Sequence, residues 1–130
     1  MNDTFGPSKF SHVAVLVKSV EESGRFYGEI LGLKEVEEPF KDGLHRWFEL
    51  GSGTLHLIEE PWEELVFRRS NHLCLSVGDL EAFIEKLNTE AIQFEDARGN
   101  KNKIHIRPDG IRQIFFQDPS GYWVEVNDDY

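Results

Sequence analysis

The chain has 130 residues, the size of one compact domain, and 39% of them are hydrophobic, so it can bury a core. With 24 acidic against 14 basic residues its formal net charge is −10, and no Lys/Arg cluster offsets a field that repels nucleic acid and anionic membrane surfaces. The single cysteine, Cys74, excludes an intrachain disulfide and suits a reducing cytoplasm. Residues 1–10 lack the basic start and apolar run of a signal peptide, and no apolar stretch approaches the roughly 20 residues of a membrane span. A soluble, cytoplasmic protein is expected.

The first predicted element is a strand over 12–17, HVAVLV. Strand side chains alternate faces, so Val13, Val15 and Val17 share one face and His12, Ala14 and Leu16 the other. Ser19 is placed to cap a helix, with Glu22 completing a capping box. Val20, Phe26, Tyr27, Ile30 and Leu31 give that helix its apolar side, and Gly32 its stop. Short strands are predicted at 34–36, 46–50 and 54–58, with GSG at 51–53 turning the last pair. In the third of these, Leu55 and Leu57 oppose Thr54, His56 and Ile58. Residues 61–70, PWEELVFRRS, join the two halves of the chain, with a short helix expected there.

The chain then repeats itself. An offset of 60 places His72 on His12, Val77 on Val17 and Glu81 on Glu21. The strand 72–77 sets Leu73, Leu75 and Val77 against His72, Cys74 and Ser76. Asp79 caps a second helix whose Leu80, Phe83, Ile84 and Leu87 make one apolar face. Strands are predicted at 92–94, 104–106, 112–117 and 122–127, and the polar run 96–103 reads as a mobile loop. The closing hairpins also correspond: RWFELGSGTLHLI resembles IFFQDPSGYWVEV with one residue inserted, matching Phe48 to Phe116 and His56 to Glu125. The reading is an α+β fold of two βαβββ modules, about 10–60 and about 70–128, in a single domain spanning 1–130.

In four strands one face is aliphatic and the other carries a metal-competent side chain: His12, His56, His72 or Glu125. A lone strand histidine is ordinarily a hydrogen-bonded core or surface residue. Three histidines and a carboxylate at corresponding positions point instead to a shared metal site. The remaining histidines, His45 and His105, read as ordinary residues of short strands, with a supporting role at the mouth of a site as the alternative.

These modules, with FYGEILGL at 26–33, HLCLSVGDLEAF at 72–83 and DPSGYWVEV at 118–126, resemble the vicinal oxygen chelate superfamily. That group includes glyoxalase I, extradiol dioxygenases, fosfomycin thioltransferases and bleomycin-resistance proteins. The resemblance spans residues 10–128. It implies a U-shaped, eight-stranded mixed sheet with helices on the convex face, and a homodimer. Matched position by position, it implies His12, His56, His72 and Glu125 as metal ligands. The usual glyoxalase I set has Glu where His56 stands. One carboxylate fewer and one imidazole more favour Zn, Ni or Fe.

The function so implied is a metal-dependent, glyoxalase-like lyase or isomerase (lactoylglutathione lyase-like). Its small substrate chelates through vicinal oxygens, and Glu125 is the catalytic proton carrier. Pocket candidates are Trp47, Glu49, Cys74, Phe115, Phe116, Trp123, His105 and Arg112. The alternatives are an extradiol-type Fe(II) dioxygenase and a protein that only sequesters a drug or other ligand. In the dioxygenase pattern Phe115 stands where a tyrosine is usual. A thioltransferase reading leans on Arg98, Lys101, Lys103, Arg107 and Arg112, whose plain role is a solvated loop.

Overall fold

In a computed structural model, which describes residues 6–62 and 66–130, the alternation of HVAVLV becomes strand β1, His12–Val17. Val15 and Val17 are buried while His12 and Ala14 are exposed. Strands β2 (Glu35–Val36), β3 (His45–Glu49) and β4 (Thr54–Glu59) complete a four-stranded sheet in the order β1-β4-β3-β2. β1 and β4 are parallel, so a crossover must join them. A helix begins that crossover: α1, Val20–Arg25, with the Ser19 hydroxyl accepting from the Glu22 N–H at 3.1 Å. The Val20 N–H is taken by the Glu59 carboxylate at 2.9 Å, which ties the helix start to β4.

The helix predicted to run on to Leu31 changes character. Residues Phe26–Ile30 form a π-helical turn, closed by the Leu31 N–H on the Phe26 carbonyl at 2.9 Å. The wider turn keeps Phe26, Tyr27 and Ile30 buried together. Gly32, at φ +77°, then reverses the chain, and the Leu33 N–H reaches back to Tyr27.

The second sheet has the same plan. Strands β5 (His72–Ser76), β6 (His105–Ile106), β7 (Arg112–Gln117) and β8 (Trp123–Asn127) lie in the order β5-β8-β7-β6, with β5 and β8 parallel. Helix α2, Leu80–Thr89, starts at Asp79, whose carboxylate accepts from the Ala82 N–H at 3.0 Å. The eight strands are thus hydrogen-bonded as two mixed four-stranded sheets, an α+β arrangement. The chain divides into two compact units, Met1–Pro61 and Trp62–Tyr130, each holding one sheet and one helical crossover.

Each core follows from alternation. Leu55, Leu57 and Phe48 are fully buried in the first unit, and Ile114, Val124, Val126, Leu80 and Leu87 in the second. Phe116 lies against Phe83 of α2, with ring centroids 5.9 Å apart. The strand predicted at 92–94 does not form. The end of α2 uses those residues: the Ile92 N–H closes on Leu87, and Ala91 takes φ +56°. The chain meets the sheet only at Glu95, through isolated bridges to Lys101 and Phe115. The linker helix expected in 61–70 falls partly on 63–65, outside the described residues. Among the described residues no helix is long and apolar enough to cross a membrane.

Candidate functional site

In the first unit His56 sits in β4 between Ala14 of β1 and Trp47 of β3. Alternation turns it away from the helix-facing Leu55 and Leu57, yet it is only 8% exposed. Other rings cover it. His45, Trp47 and His12 lie 5.2, 5.1 and 5.8 Å from it, and Phe40 is stacked at 12° with centroids 5.9 Å apart. Its Nε2 is buried without a hydrogen-bond partner. Burial holds the imidazole below its usual pKa, and the neighbouring His45 and His12 push the same way against Glu38. A neutral ring with an unused nitrogen is the form that binds a metal ion.

His12 is more open, with Nδ1 3.2 Å from the Ser11 hydroxyl. His45 is held by Asp42, with Nδ1 to Oδ1 at 2.9 Å. A carboxylate accepts, so Nδ1 carries the proton. This contact, with the Leu44 N–H, keeps the Asp42 carboxyl below its ordinary range. The sequence gives His45 an ordinary role, but the fold brings it into the ring cluster. The signal is its parity with Trp47 and His56, which appears once β3 is seen to begin at residue 45.

The second unit mirrors this with different chemistry. Glu125 takes the place of His56, between Cys74 of β5 and Phe115 of β7, and is 7% exposed. Its Oε1 lies 2.9 Å from His72 Nε2. His72 Nδ1 lies 2.6 Å from the Arg69 carbonyl, which only accepts, so the neutral ring carries its proton at Nδ1. Nε2 then presents a lone pair to a carboxylate oxygen. Such a contact calls for a proton or a cation between the two atoms. The donor chemistry of this pair fits a divalent transition metal, and so, in the first unit, does the orphaned His56 Nε2.

Around this pair, Asn127 donates to Cys74 Sγ at 3.3 Å and to Glu125 Oε2 at 3.5 Å, while Ser76 donates to its carbonyl at 2.9 Å. Desolvation, with the Glu125 charge second, pushes the Cys74 thiol up to about 12, although the residue as a whole is exposed. The sulfur is thus a packing atom beside the carboxylate, not a nucleophile. Phe115 meets His72 edge-on at 5.4 Å, and Arg69 lies over Trp123 at 4.9 Å.

The remaining pocket candidates separate. Trp47 adjoins His56 and Trp123 adjoins His72 in register, on the candidate face. His105 shares that face opposite Gln113, with a buried, unpartnered Nδ1. Glu49 is exposed at the end of β3 opposite Thr54. One expectation is corrected. Arg112 points to the helix side, where Glu81 of α2 and Asp128 take its guanidinium at 2.5 and 2.8 Å. Phe116 has the same strand parity and is 1% exposed, and it borders a cavity together with Phe115 and Trp123. Among the described residues no group of three or more His, Cys, Asp or Glu side chains is arranged to hold a metal ion. The candidate ligands stand as a pair in each unit.

Known proteins resemble the chain as a whole. The chain is 28% identical to Glyoxylase I 4 of Arabidopsis thaliana over 129 residues, covering 92% of this chain and 70% of that one. It is 27% identical to a lactoylglutathione lyase of Pseudomonas putida, covering 90% and 83%. A glyoxalase/dioxygenase from Nostoc punctiforme superposes with a TM-score of 0.74 at 24% identity over 100% of this chain and 99% of that one, which is a likeness of fold. The family pattern matches residues 9–126, nearly the whole double module, and the chain belongs to the glyoxalase/bleomycin resistance protein/dioxygenase superfamily.

Proposed function

We propose that the protein is a metal-dependent lyase or isomerase of the glyoxalase type, acting on a small substrate with adjacent oxygens. The observation that carries this is the His72–Glu125 contact, in which an imidazole nitrogen, its ring held from the other side by a backbone carbonyl, meets a carboxylate oxygen at 2.9 Å. His12, His56, His72 and Glu125 are the proposed ligands of Zn, Ni or Fe. When bound, the ion supplies Lewis acidity to the substrate's oxygens. Glu125 is the proton carrier. Its carboxylate has one oxygen toward His72 and the other toward Asn127, so one oxygen can accept a substrate proton while the other stays held. Phe115 and Trp123 border that carboxylate and limit its contact with water. The resemblance to lactoylglutathione lyase favours this reading over simple sequestration, which needs no donor set. The protein works in this proposal as a cytoplasmic homodimer with a small-molecule substrate and neither nucleic acid nor membrane as partner.

Metal analysis of the purified protein, repeated on His56→Ala and Glu125→Gln, tests the proposal. One transition metal per chain is expected, with most of it lost in each variant. A metal-poor protein prepared without chelator overturns the reading. Anaerobic turnover of a hemithioacetal supports the lyase. Oxygen uptake on catechols would replace it with the dioxygenase.

A further inference from the structure

We infer that the second unit holds a subsite for the anionic end of an elongated, apolar-bodied ligand, with Lys101 receiving a carboxylate and Phe115 and Trp123 flanking the body. The inference deepens the proposed function by naming the class of substrate: a carboxylate at one end, vicinal oxygens at the other. It rests on that reading for the second end alone.

The sheet register carries the first part of the argument. Glu95 bridges to Lys101 on one side and to Phe115 on the other, and Phe115 is paired with Glu125. Directly paired residues present their side chains to the same face. Lys101, Glu95, Phe115 and Glu125 therefore form one row, running from the 96–103 loop to the candidate proton carrier. A cavity of about 420 Å³ opens beside the Lys101 end of this row, lined by Glu95, Lys101, Phe115, Phe116, Gln117 and Trp123 and stopping short of Glu125. That volume suits a small organic molecule.

Charge carries the second part. The Glu95 carboxylate is consumed by Arg69, which contacts it through both Nε and Nη2, so it offers no repulsion of its own beyond a neutralised pair. Arg69 is consumed in turn, giving Nη1 to the Ala97 carbonyl and its flat face to Trp123. Lys101 is exposed and, among the described residues, makes no ion pair. In a chain of net charge −10 an unpaired ammonium at the end of an aromatic cavity marks where an anion is tolerated. Three strand spacings of about 4.8 Å separate Lys101 from Glu125 at the backbone. A ligand reaching both is on the order of 10 Å long once side-chain length is allowed for.

The test uses 4-phenylbutyrate and its uncharged analogue 4-phenylbutan-1-ol, titrated calorimetrically into the full chain at low salt, both as purified and after EDTA. The wild type is expected to bind the carboxylate about tenfold more tightly than the alcohol, as one charge-assisted contact provides. Lys101→Ala should bring the two within about twofold, and Lys101→Arg should restore most of the preference. Equal affinities in the wild type, no binding of either probe, or a preference that survives Lys101→Ala would each overturn the inference. Metal content separates the two proposals. A metal-poor protein that still prefers the carboxylate refutes the metal reading alone, and a metal-loaded protein without the preference refutes the subsite alone.

Discussion

Arg69 joins the second half of the candidate site to its fold, and removing its charge should damage both. Its Nε lies 3.1 Å from Glu95 Oε1, its Nη2 contacts the same oxygen, and its Nη1 lies 3.4 Å from the Ala97 carbonyl. Its own carbonyl sets the tautomer of His72. Arg69→Met keeps the apolar stem over Trp123 and deletes the guanidinium. The pair is neither exposed nor deeply buried, with side chains 30% and 17% accessible. A surface pair contributes at most ~1 kcal/mol, and the poorly solvated Glu95 left behind adds ~1–2 kcal/mol. A loss of ~2–3 kcal/mol is therefore expected in urea unfolding. Glu95→Gln should cost less, and the double-mutant cycle should show coupling of ~1 kcal/mol. The Arg69 carbonyl that holds His72 stays in this variant, but the segment carrying it loses its ties to Glu95 and Ala97, so affinity for added Zn²⁺ should fall, by less than the roughly 10–100-fold of a deleted orienting group. A variant within ~0.5 kcal/mol of wild type would refute the strut. A stability loss with unchanged Zn²⁺ affinity would refute the link to His72.

Packing and charge set three other outcomes. A Cβ at Gly53 would meet the Phe10 ring and come within 2.8 Å of the Ser11 carbonyl, so Gly53→Ala should lower stability by ~1–3 kcal/mol in the same assay. With its thiol pushed up to about 12, Cys74 should react with iodoacetamide at pH 8 on the order of fiftyfold more slowly than an unhindered cysteine, the lower thiolate fraction being partly offset by a more nucleophilic thiolate, and the rate should keep rising beyond pH 10. Asp96 is held at about 2 by the Asn100 side chain and backbone N–H, against an ordinary value of 3.8. Its unfolded form binds the proton first. The stabilisation is thus complete above pH 3.8 and is lost as pH falls toward 2, and Asp96→Asn should flatten the melting temperature in that window.

Period-two alternation in four strands made the cores legible, because a buried face admits little but aliphatic side chains: Leu55, Leu57, Val124 and Val126 lie where it placed them. The same parity placed His56 and Glu125 on the opposite faces. It failed at 92–94, where aliphatic residues serve a helix end and not a strand. Parity also sends Arg112 to the helix side with Ile114 and Phe116, but its partner there is not legible in the strand, because Glu81 comes near only through packing of α2.

The repeat of strand, helix and hairpin at an offset of 60, the identity of the ligand candidates and the family were all decided by the sequence, since they rest on local pattern and chemistry. Tertiary structure alone decided what those residues experience. It put five rings in one cluster at His56, left that residue's Nε2 without a partner, fixed the His72 tautomer through the Arg69 carbonyl, and aligned Lys101 with Glu125 across the sheet. Each of these depends on residues far apart in the chain or on a backbone carbonyl's direction. A linear pattern carries neither, because both are settled only when strands choose partners and register.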